Sequence, residues 1–159
     1  MKNNKGFTLM ELLIVVAIMS LLAIVVLVGL KPAQRLADAR DARRAQDINQ
    51  ILTGVMSCAI DKKDTANLTT CLGTNTVAKT YEVVSVGTSS GCNNTCIGVS
   101  GTGDCLPLSA TLTDYFTSLP VDPNNTVSGH TGYSLTRYAN NMIVVEACAA
   151  EGSTIKVSR

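Results

Sequence analysis

Glu11 is the one charged residue in the run Phe7–Leu30, where 20 of 24 residues are apolar. A carboxylate inside a bilayer helix costs about 2.5–3.5 kcal/mol on insertion scales, so it needs water or a cation. Gly6 is the small residue at the border between the basic N-terminus and this run. Cleavage after Gly6 would create a positive α-amine on Phe7, which could pair with Glu11 in the same helix or in a neighbouring one. The alternative is a Glu11 that lies near the interface and reaches water.

The cysteines are the second group of residues that could carry out chemistry, and all six follow the apolar run: Cys58, Cys71, Cys92, Cys96, Cys105 and Cys148. An even number beyond a membrane segment favours disulfides. We expect a disulfide between Cys58 and Cys71, because this bridge would tie a helix end to the loop that follows. Two arrangements remain open for the others, Cys92–Cys105 with Cys96–Cys148, or Cys92–Cys96 with Cys105–Cys148.

Metal and catalytic sites have weaker support in the sequence. The spacing of Cys92, Cys96 and Cys105 is irregular for zinc. The one histidine, His130, is expected in a solvated loop without a nucleophile or base beside it, so we predict no enzyme and no cofactor. Asp122, Asn124 and Asn125 could offer oxygen atoms to calcium, but the sequence has no clear acidic ligand set there and favours an Asx-Pro turn. We therefore expect no metal.

The apolar run is long enough to cross a membrane, since 24 helical residues reach roughly 36 Å against a hydrocarbon core of about 30 Å. Lys2 and Lys5 favour a cytoplasmic N-terminus, which places the cysteines outside the cytoplasm. We expect a single transmembrane helix over residues 7–30.

Gly29 and Pro32 mark the end of this helix, because glycine weakens a helix and proline lacks the N–H that would continue it. Two interpretations stand side by side, a helix end at the membrane surface and a hinge between two helical segments.

A second helical pattern covers residues 31–60, and its apolar residues predict one stripe packed on a sheet: Ile48, Ile51, Leu52, Val55, Met56, Ala59 and Ile60. Charges of alternating sign precede the stripe. Pairs such as Asp41 and Arg44 lie at helical contact spacing, and we expect a solvated face there.

Residues 61–159 are expected to form a globular head. Alternating patterns predict strands over 80–86, 132–138, 142–149 and 154–157, and helical spacing predicts a short helix over 109–119. Residues 61–78 and 87–105 have no period and are predicted as loops. The fold class is α+β, with a long N-terminal helix packed on a small antiparallel β-sheet.

Composition narrows the class of protein. The chain has 159 residues and 46 % hydrophobic content, but residues 31–159 contain only 52 apolar residues in 129. This division excludes a plain cytosolic globule, a polytopic membrane protein and a disordered chain. Thirteen basic residues against 12 acidic ones give no surplus for binding nucleic acid by bulk charge.

The segment Lys-Gly-Phe-Thr-Leu-Met-Glu-Leu-Leu-Ile-Val-Val, residues 5–16, resembles the precursor signature of type IV pilins and pseudopilins. Residues 39–44 and 115–125 are also similar to segments of that family. The resemblance implies that residues 1–6 are a leader, which a prepilin peptidase removes by cleavage between Gly6 and Phe7, with N-methylation of the new amine. It also implies a ladle-shaped molecule in which Glu11 pairs with the Phe7 amine of an adjacent subunit.

The function implied by the resemblance is that of a structural subunit of a type IV pilus or related filament, a helical homopolymer built through the apolar helix. The precursor would cross the bacterial inner membrane once, in contact with lipid and with the pilus assembly machinery, and the product would be an extracellular filament at the cell surface. The alternatives are a pseudopilin of a type II secretion-like system and a minor tip subunit that acts in adhesion or DNA uptake. The charge balance indicates no nucleic-acid partner.

Overall fold

The computed structural model describes residues 6–64, 68–73, 79–84, 92 and 105–159. The chain divides into two compact units, Met1–Ala37 and Asp38–Arg159, which we call the N-terminal unit and the C-terminal unit.

The N-terminal unit is dominated by helix α1, Leu9–Leu30, none of whose residues is buried. Its apolar side chains surround the helix on all sides, so it has no polar face. Within the part of the chain that the structure describes, the helix starting at Leu9 is the one long and apolar enough to cross a membrane, with a mean hydropathy of 3.2 over an 18-residue window. A helix that exposes apolar side chains all round needs an apolar environment from lipid or from other helices.

The helical path is interrupted at Lys31. This residue adopts a left-handed backbone conformation, φ 42° and ψ 62°, and ends α1. Helix α2, Pro32–Asp61, begins at the next residue. Proline suits this first position because its missing N–H would have no partner within the helix. The interruption lies between Gly29 and Pro32, the two predicted hinge positions, and motion there stays a prediction.

In the C-terminal unit, α2 buries one stripe of residues: Arg44, Asp47, Ile48, Ile51, Leu52, Gly54, Val55, Cys58 and Ala59. The predicted apolar stripe is largely confirmed. The prediction is wrong for Ile60, whose side chain is 68 % exposed. The stripe also extends further toward the N-terminus than hydropathy indicates, through two charged residues, Arg44 and Asp47.

Short elements follow α2 along the chain: α3 Thr69–Leu72, β1 Lys79–Val84, β2 Cys105–Leu106, α4 Leu108–Thr111, β3 His130–Arg137, β4 Ile143–Ala147 and β5 Lys156–Ser158. The strand order in the sheet is β2-β1-β3-β4-β5. Neighbouring strands are antiparallel except β1 and β2, which are parallel. The sheet is therefore mixed and not purely antiparallel, because the 20 residues between β1 and β2 give the length that a parallel crossover needs.

Two local predictions were wrong. The helix expected over residues 109–119 is a four-residue helix, α4. Leu112 and Phe116 are buried beyond its end, so their spacing reflects core contacts and not a continuous helix. The loop expected over 61–78 contains α3, which is too short to produce a period in the sequence.

The core lies between α2 and one face of the sheet. Tyr81 pairs with Leu135, and Leu135 with Val145, so the three side chains form a row across β1, β3 and β4. All three are buried in one cluster with the apolar stripe of α2. The sheet and the helix thus fix each other's position within this unit.

Gly54 marks the closest approach of α2 to the segment after α4. A Cβ atom added at Gly54 would lie 2.1 Å from Cζ of Phe116 and 2.3 Å from Cε2. The aromatic ring therefore rests directly on the helix backbone, which only glycine allows at this position.

We expect Gly54→Ala to reduce the free energy of unfolding of the C-terminal unit by about 1–3 kcal/mol, the usual cost of overpacking. The better helix propensity of alanine, about 1 kcal/mol, offsets part of this loss. Denaturant unfolding of the full chain in detergent, followed by circular dichroism, measures the change. In a Phe116→Ala background the same substitution should become neutral or stabilising, and an equal loss in both backgrounds would contradict the steric explanation.

Candidate functional site

Gly6 and Phe7, which flank the expected cleavage site, are exposed. Among the described residues, and apart from its chain neighbours, Gly6 has no atom within 4 Å of the position that a Cβ would occupy. Phe7 is 85 % exposed. Both residues precede the helix, so the peptide bond between them lies in non-helical backbone that a protease can bind.

Thr8 and Glu11 form a capping box at the start of α1. The Glu11 backbone N–H donates to Thr8 Oγ1 at 3.2 Å. In return, Glu11 Oε2 accepts from the Thr8 backbone N–H at 3.4 Å and from the Thr8 hydroxyl at 3.3 Å. This arrangement satisfies N–H groups that a helix start leaves without partners and places a negative charge at the positive end of the helix dipole.

The capping box fixes the Glu11 carboxylate in the first turn, close to the Gly6–Phe7 bond. The partners that Thr8 provides are neutral, so they compensate the charge of Glu11 only in part. Cleavage after Gly6 would add an ammonium group at the first residue of the shortened chain, four residues before Glu11. The geometry thus leaves the carboxylate available to a cation.

This N-terminal segment is what comparison with known families identifies. Residues 1–27 match the prokaryotic N-terminal methylation motif. The chain carries the N-terminal motif of type IV pilin-like proteins. No curated protein and no solved structure matches the chain. The pilin-like motif includes Gly6, Phe7, Glu11 and most of α1, and a long helix with a small sheet is consistent with a pilin fold.

The pilin-like motif is typical of structural subunits, not of enzymes, and implies processing by a prepilin peptidase. It also fits a membrane-anchored precursor of a surface filament, in agreement with the apolar helix that follows it.

The structure contains disulfides, as the sequence predicts. Cys58 and Cys71 are bonded, with their Cα atoms 5.9 Å apart, and join the end of α2 to α3. Cys92 and Cys105 are also bonded, which excludes the arrangement with Cys92–Cys96. Cys148 is disulfide-bonded as well. Its predicted partner, Cys96, lies outside the described residues.

Arg44 is the centre of a charge cluster that sequence reasoning missed. Its side chain is fully buried. Nε donates to Asp122 Oδ2 at 2.6 Å and Nη2 donates to Asp122 Oδ1 at 3.1 Å. Nη1 donates to Asp41 at 2.7 Å and to Glu151 at 3.0 Å. The bonds to Asp122 raise the pKa of Arg44 despite its burial, so the guanidinium stays charged. We call these four residues the Arg44 cluster.

The three residues named as calcium candidates form other bonds in and around the Arg44 cluster. Both oxygens of Asp122 accept from Arg44, and Oδ1 further accepts from the Asn124 backbone N–H at 2.8 Å. The side-chain amide of Asn124 donates to Glu151, and that of Asn125 donates to the carbonyl of His130. The cation that Asp122 holds in this structure is a guanidinium, and the Asx turn favoured by the sequence is present.

A bulge in the sheet positions Asp122. The register between β1 and β3 shifts between Glu82 and Val84, where Gly132 has a φ of 79°. A Cβ on Gly132 would lie 2.8 Å from Cβ of Asp122, so glycine is needed for both the backbone conformation and the close approach. The Asp122 backbone N–H donates to the Thr131 carbonyl at 2.8 Å, which holds the loop on the strand.

The turn between β4 and β5 joins the cluster through Glu151. Its carboxylate accepts from Arg40 at 2.6 Å, and its backbone N–H donates to Asp41 at 3.1 Å. The bonds from Arg40 and then Arg44 lower the pKa of Glu151 to about 2. Burial would raise the pKa of Asp41, but bonds from the Glu151 N–H, from Arg44 and from the Gly152 N–H outweigh it and lower the pKa.

We expect acid to weaken the C-terminal unit through these carboxylates. Because the folded-state pKa of Glu151 is depressed, its contribution to stability is complete above the unfolded pKa of about 4.3 and is lost as the pH falls toward 2. The melting temperature should therefore fall between about pH 5 and pH 2. Glu151→Gln should flatten this part of the profile, and an unchanged profile in that variant would contradict the assignment.

His130 was expected in a solvated loop, and this expectation was wrong. It is the first residue of β3, and its Nδ1 atom lies 3.0 Å from Glu82 Oε1. The two side chains are 11 % and 3 % exposed. The bulge brings them together, because it pairs Val84 with His130. The residues are 48 positions apart, and no local pattern could have indicated the contact.

Proposed function

We propose that this chain is a structural subunit of a type IV pilus or pilus-like filament and polymerises through α1. The precursor waits in the bacterial inner membrane with α1 in lipid. Removal of residues 1–6 by a prepilin peptidase frees the amine of Phe7. The assembly machinery then moves the subunit into a helical homopolymer at the cell surface.

The observation that carries this proposal is the exposure of α1. Helix α1 has 22 residues, and none of them is buried in the part of the chain that the structure describes. Lipid can cover such a helix, and so can other copies of it. Transfer from lipid into a bundle keeps the apolar surface away from water throughout, so the hydrophobic effect does not oppose extraction from the membrane.

The position of Glu11 supports the same proposal. Its carboxylate lies at the start of an otherwise apolar helix and close to the Gly6–Phe7 bond. In an apolar bundle an unpaired carboxylate costs several kcal/mol, so only a stagger that brings a cation to Glu11 is favourable. The new amine of Phe7 on an adjacent subunit is that cation.

The test compares chains produced in cells that contain a prepilin peptidase, with mass spectrometry of the N-terminus and electron microscopy of the cell surface. We expect filaments whose subunits begin at a methylated Phe7 and have 153 residues. Gly6→Leu should leave the uncut precursor in the membrane, and the matched control Gly29→Ala should be processed normally. Filaments made of subunits that retain Met1 would refute the proposal.

The same images separate the proposed role from the two alternatives. Long filaments composed mainly of this chain indicate a major subunit. A processed chain that is found only in short periplasmic assemblies indicates a pseudopilin. A few copies per filament indicate a minor tip subunit.

A further inference from the structure

The C-terminal unit contains another group of side chains that could carry out chemistry, and none of them belongs to the pilin-like motif. Glu82, Cys92 and His130 each place one possible metal-ligand atom within 4.8 Å of the other two. Glu82 comes from β1 and His130 from β3, so the strand register fixes their separation. Cys92 comes from the segment between β1 and β2.

The cluster is buried to a degree that is unusual for its residue types. Glu82 and Cys92 are 2 % and 0 % exposed. A buried carboxylate is costly unless it is paired, and the bond to His130 at 3.0 Å offsets this cost. Cys92 packs with Val84, Cys105 and Cys148 in a cluster separate from the main core.

Cys105 adds a fourth candidate ligand because its sulfur is bonded to that of Cys92. In this oxidised state neither sulfur is a thiolate, and a disulfide sulfur is a poor ligand for a metal ion. The bridge thus keeps two of the four donors from acting. Reduction by a dithiol would transfer two electrons, break the Cys92–Cys105 bond, and leave two protein thiols and one disulfide on the reductant.

We propose that the reduced form of this cluster is a binding site for one zinc-class divalent cation, with Cys92, Cys105, His130 and Glu82 as ligands. Binding displaces the two thiol protons and joins two thiolates, one imidazole nitrogen and one carboxylate oxygen to the metal. The two sulfur atoms either bond to each other or bind the metal, so the disulfide and the metal complex exclude each other.

The donor set suits zinc, which binds thiolate at about 2.3 Å and imidazole or carboxylate at about 2.0–2.2 Å in tetrahedral sites. These bond lengths place the ligand atoms of a tetrahedral site roughly 3.3–3.8 Å apart. The ligand atoms of Glu82, Cys92 and His130 lie within 4.8 Å of one another in the oxidised protein, so a contraction of about 1 Å brings these three into this range. Cys105 is outside this group, and its sulfur completes the site only after its bond to Cys92 is broken.

The proposed ligands are a defined subset of the residues in the chain that could bind a metal. Its ligands are one pair of cysteines, the one histidine of the chain and one buried carboxylate. The Cys58–Cys71 bridge joins α2 to α3 and supplies none of them. Two features therefore distinguish this site from non-specific binding by free thiols: dependence on His130, and independence of Cys58 and Cys71.

The experiment uses the full chain in detergent, reduced with a dithiol and kept anaerobic after the reductant is removed. Cobalt titration reports the coordination through its visible spectrum, and competition with a chromogenic chelator gives the zinc affinity. We expect one tetrahedral metal ion with two thiolate ligands per reduced chain and none at this site in the oxidised chain. Bound zinc should also slow the re-formation of the Cys92–Cys105 disulfide, followed by peptide mapping.

Two variants decide the assignment. His130→Ala keeps every cysteine and should weaken zinc binding by a factor of about 10–100 or more, while Glu82→Gln should weaken it by at least about tenfold. The control Cys58→Ser/Cys71→Ser should retain the tight site. The proposal is overturned if the reduced chain binds no metal, if His130→Ala binds as tightly as the wild type, or if the control loses the site.

Discussion

Replacing Arg44 by alanine should lower the free energy of unfolding of the C-terminal unit by about 3–5 kcal/mol, the typical result of removing one partner from a buried ion pair. The substitution would leave Asp122, itself buried, without the guanidinium that binds both of its oxygens. It would also remove the bond of the guanidinium to Asp41 within α2 and its bond to Glu151 in the turn between β4 and β5. Denaturant unfolding of the full chain in detergent at pH 7 measures the loss.

Arg40 provides the matched control for this experiment. It binds the same Glu151 carboxylate from the same helix, but its side chain is 33 % exposed. Arg40→Ala should therefore cost far less than Arg44→Ala, because an exposed ion pair contributes little to stability. The double variant Arg44→Ala/Asp122→Ala should cost less than the sum of the single changes, because no charge is then left unpaired. Equal losses for Arg40→Ala and Arg44→Ala would show that burial of the guanidinium does not matter.

The second large effect is expected at Glu11. We predict that Glu11→Ala inserts into the membrane as well as the wild type but lowers the filament yield at least about tenfold. The physical reason is that the Phe7 amine would enter an apolar bundle without a counter-charge, and 1.4 kcal/mol is already a factor of ten in an equilibrium. Membrane fractionation and the mass of sheared filaments measure the two quantities.

Glu11→Gln separates the two roles that the carboxylate can have. Glutamine also forms a capping box with threonine, so this variant keeps the start of α1 but removes the charge. We expect it to assemble as poorly as Glu11→Ala, and wild-type yield would show that Glu11 acts as a cap and not as a charge partner. Ser20→Ala is the matched control in α1, because the Ser20 hydroxyl bonds only to Val16 of its own helix.

Much of this architecture is predictable because the signals are local. The apolar run predicts α1, and spacings of three and four residues predict the buried face of α2. Asp41 and Arg44 were recognised as a helical pair for the same reason. What their spacing could not indicate is that Arg44 is buried, because its main partner, Asp122, is 78 residues away.

Three of the errors share one physical origin, since they depend on contacts between distant segments. The parallel pairing of β1 with β2 follows from the path of the chain between them. His130 meets Glu82 because of a bulge, and Leu112 and Phe116 are buried without belonging to one helix. Periodicity describes one element at a time, so it predicts where the strands are better than it predicts which strands pair with each other.

The absence of a polar face on α1 has a consequence for how the helix turns about its own axis. In lipid every azimuth of such a cylinder is nearly equivalent, because apolar side chains point in all directions. Ser20 does not distinguish one azimuth, since its hydroxyl is satisfied by Val16. Glu11, which is held by Thr8, is thus the residue that distinguishes one side of α1 from the others. In the proposed filament, the pairing of this one carboxylate with a neighbouring subunit would set both the axial height of a subunit and the direction in which it faces.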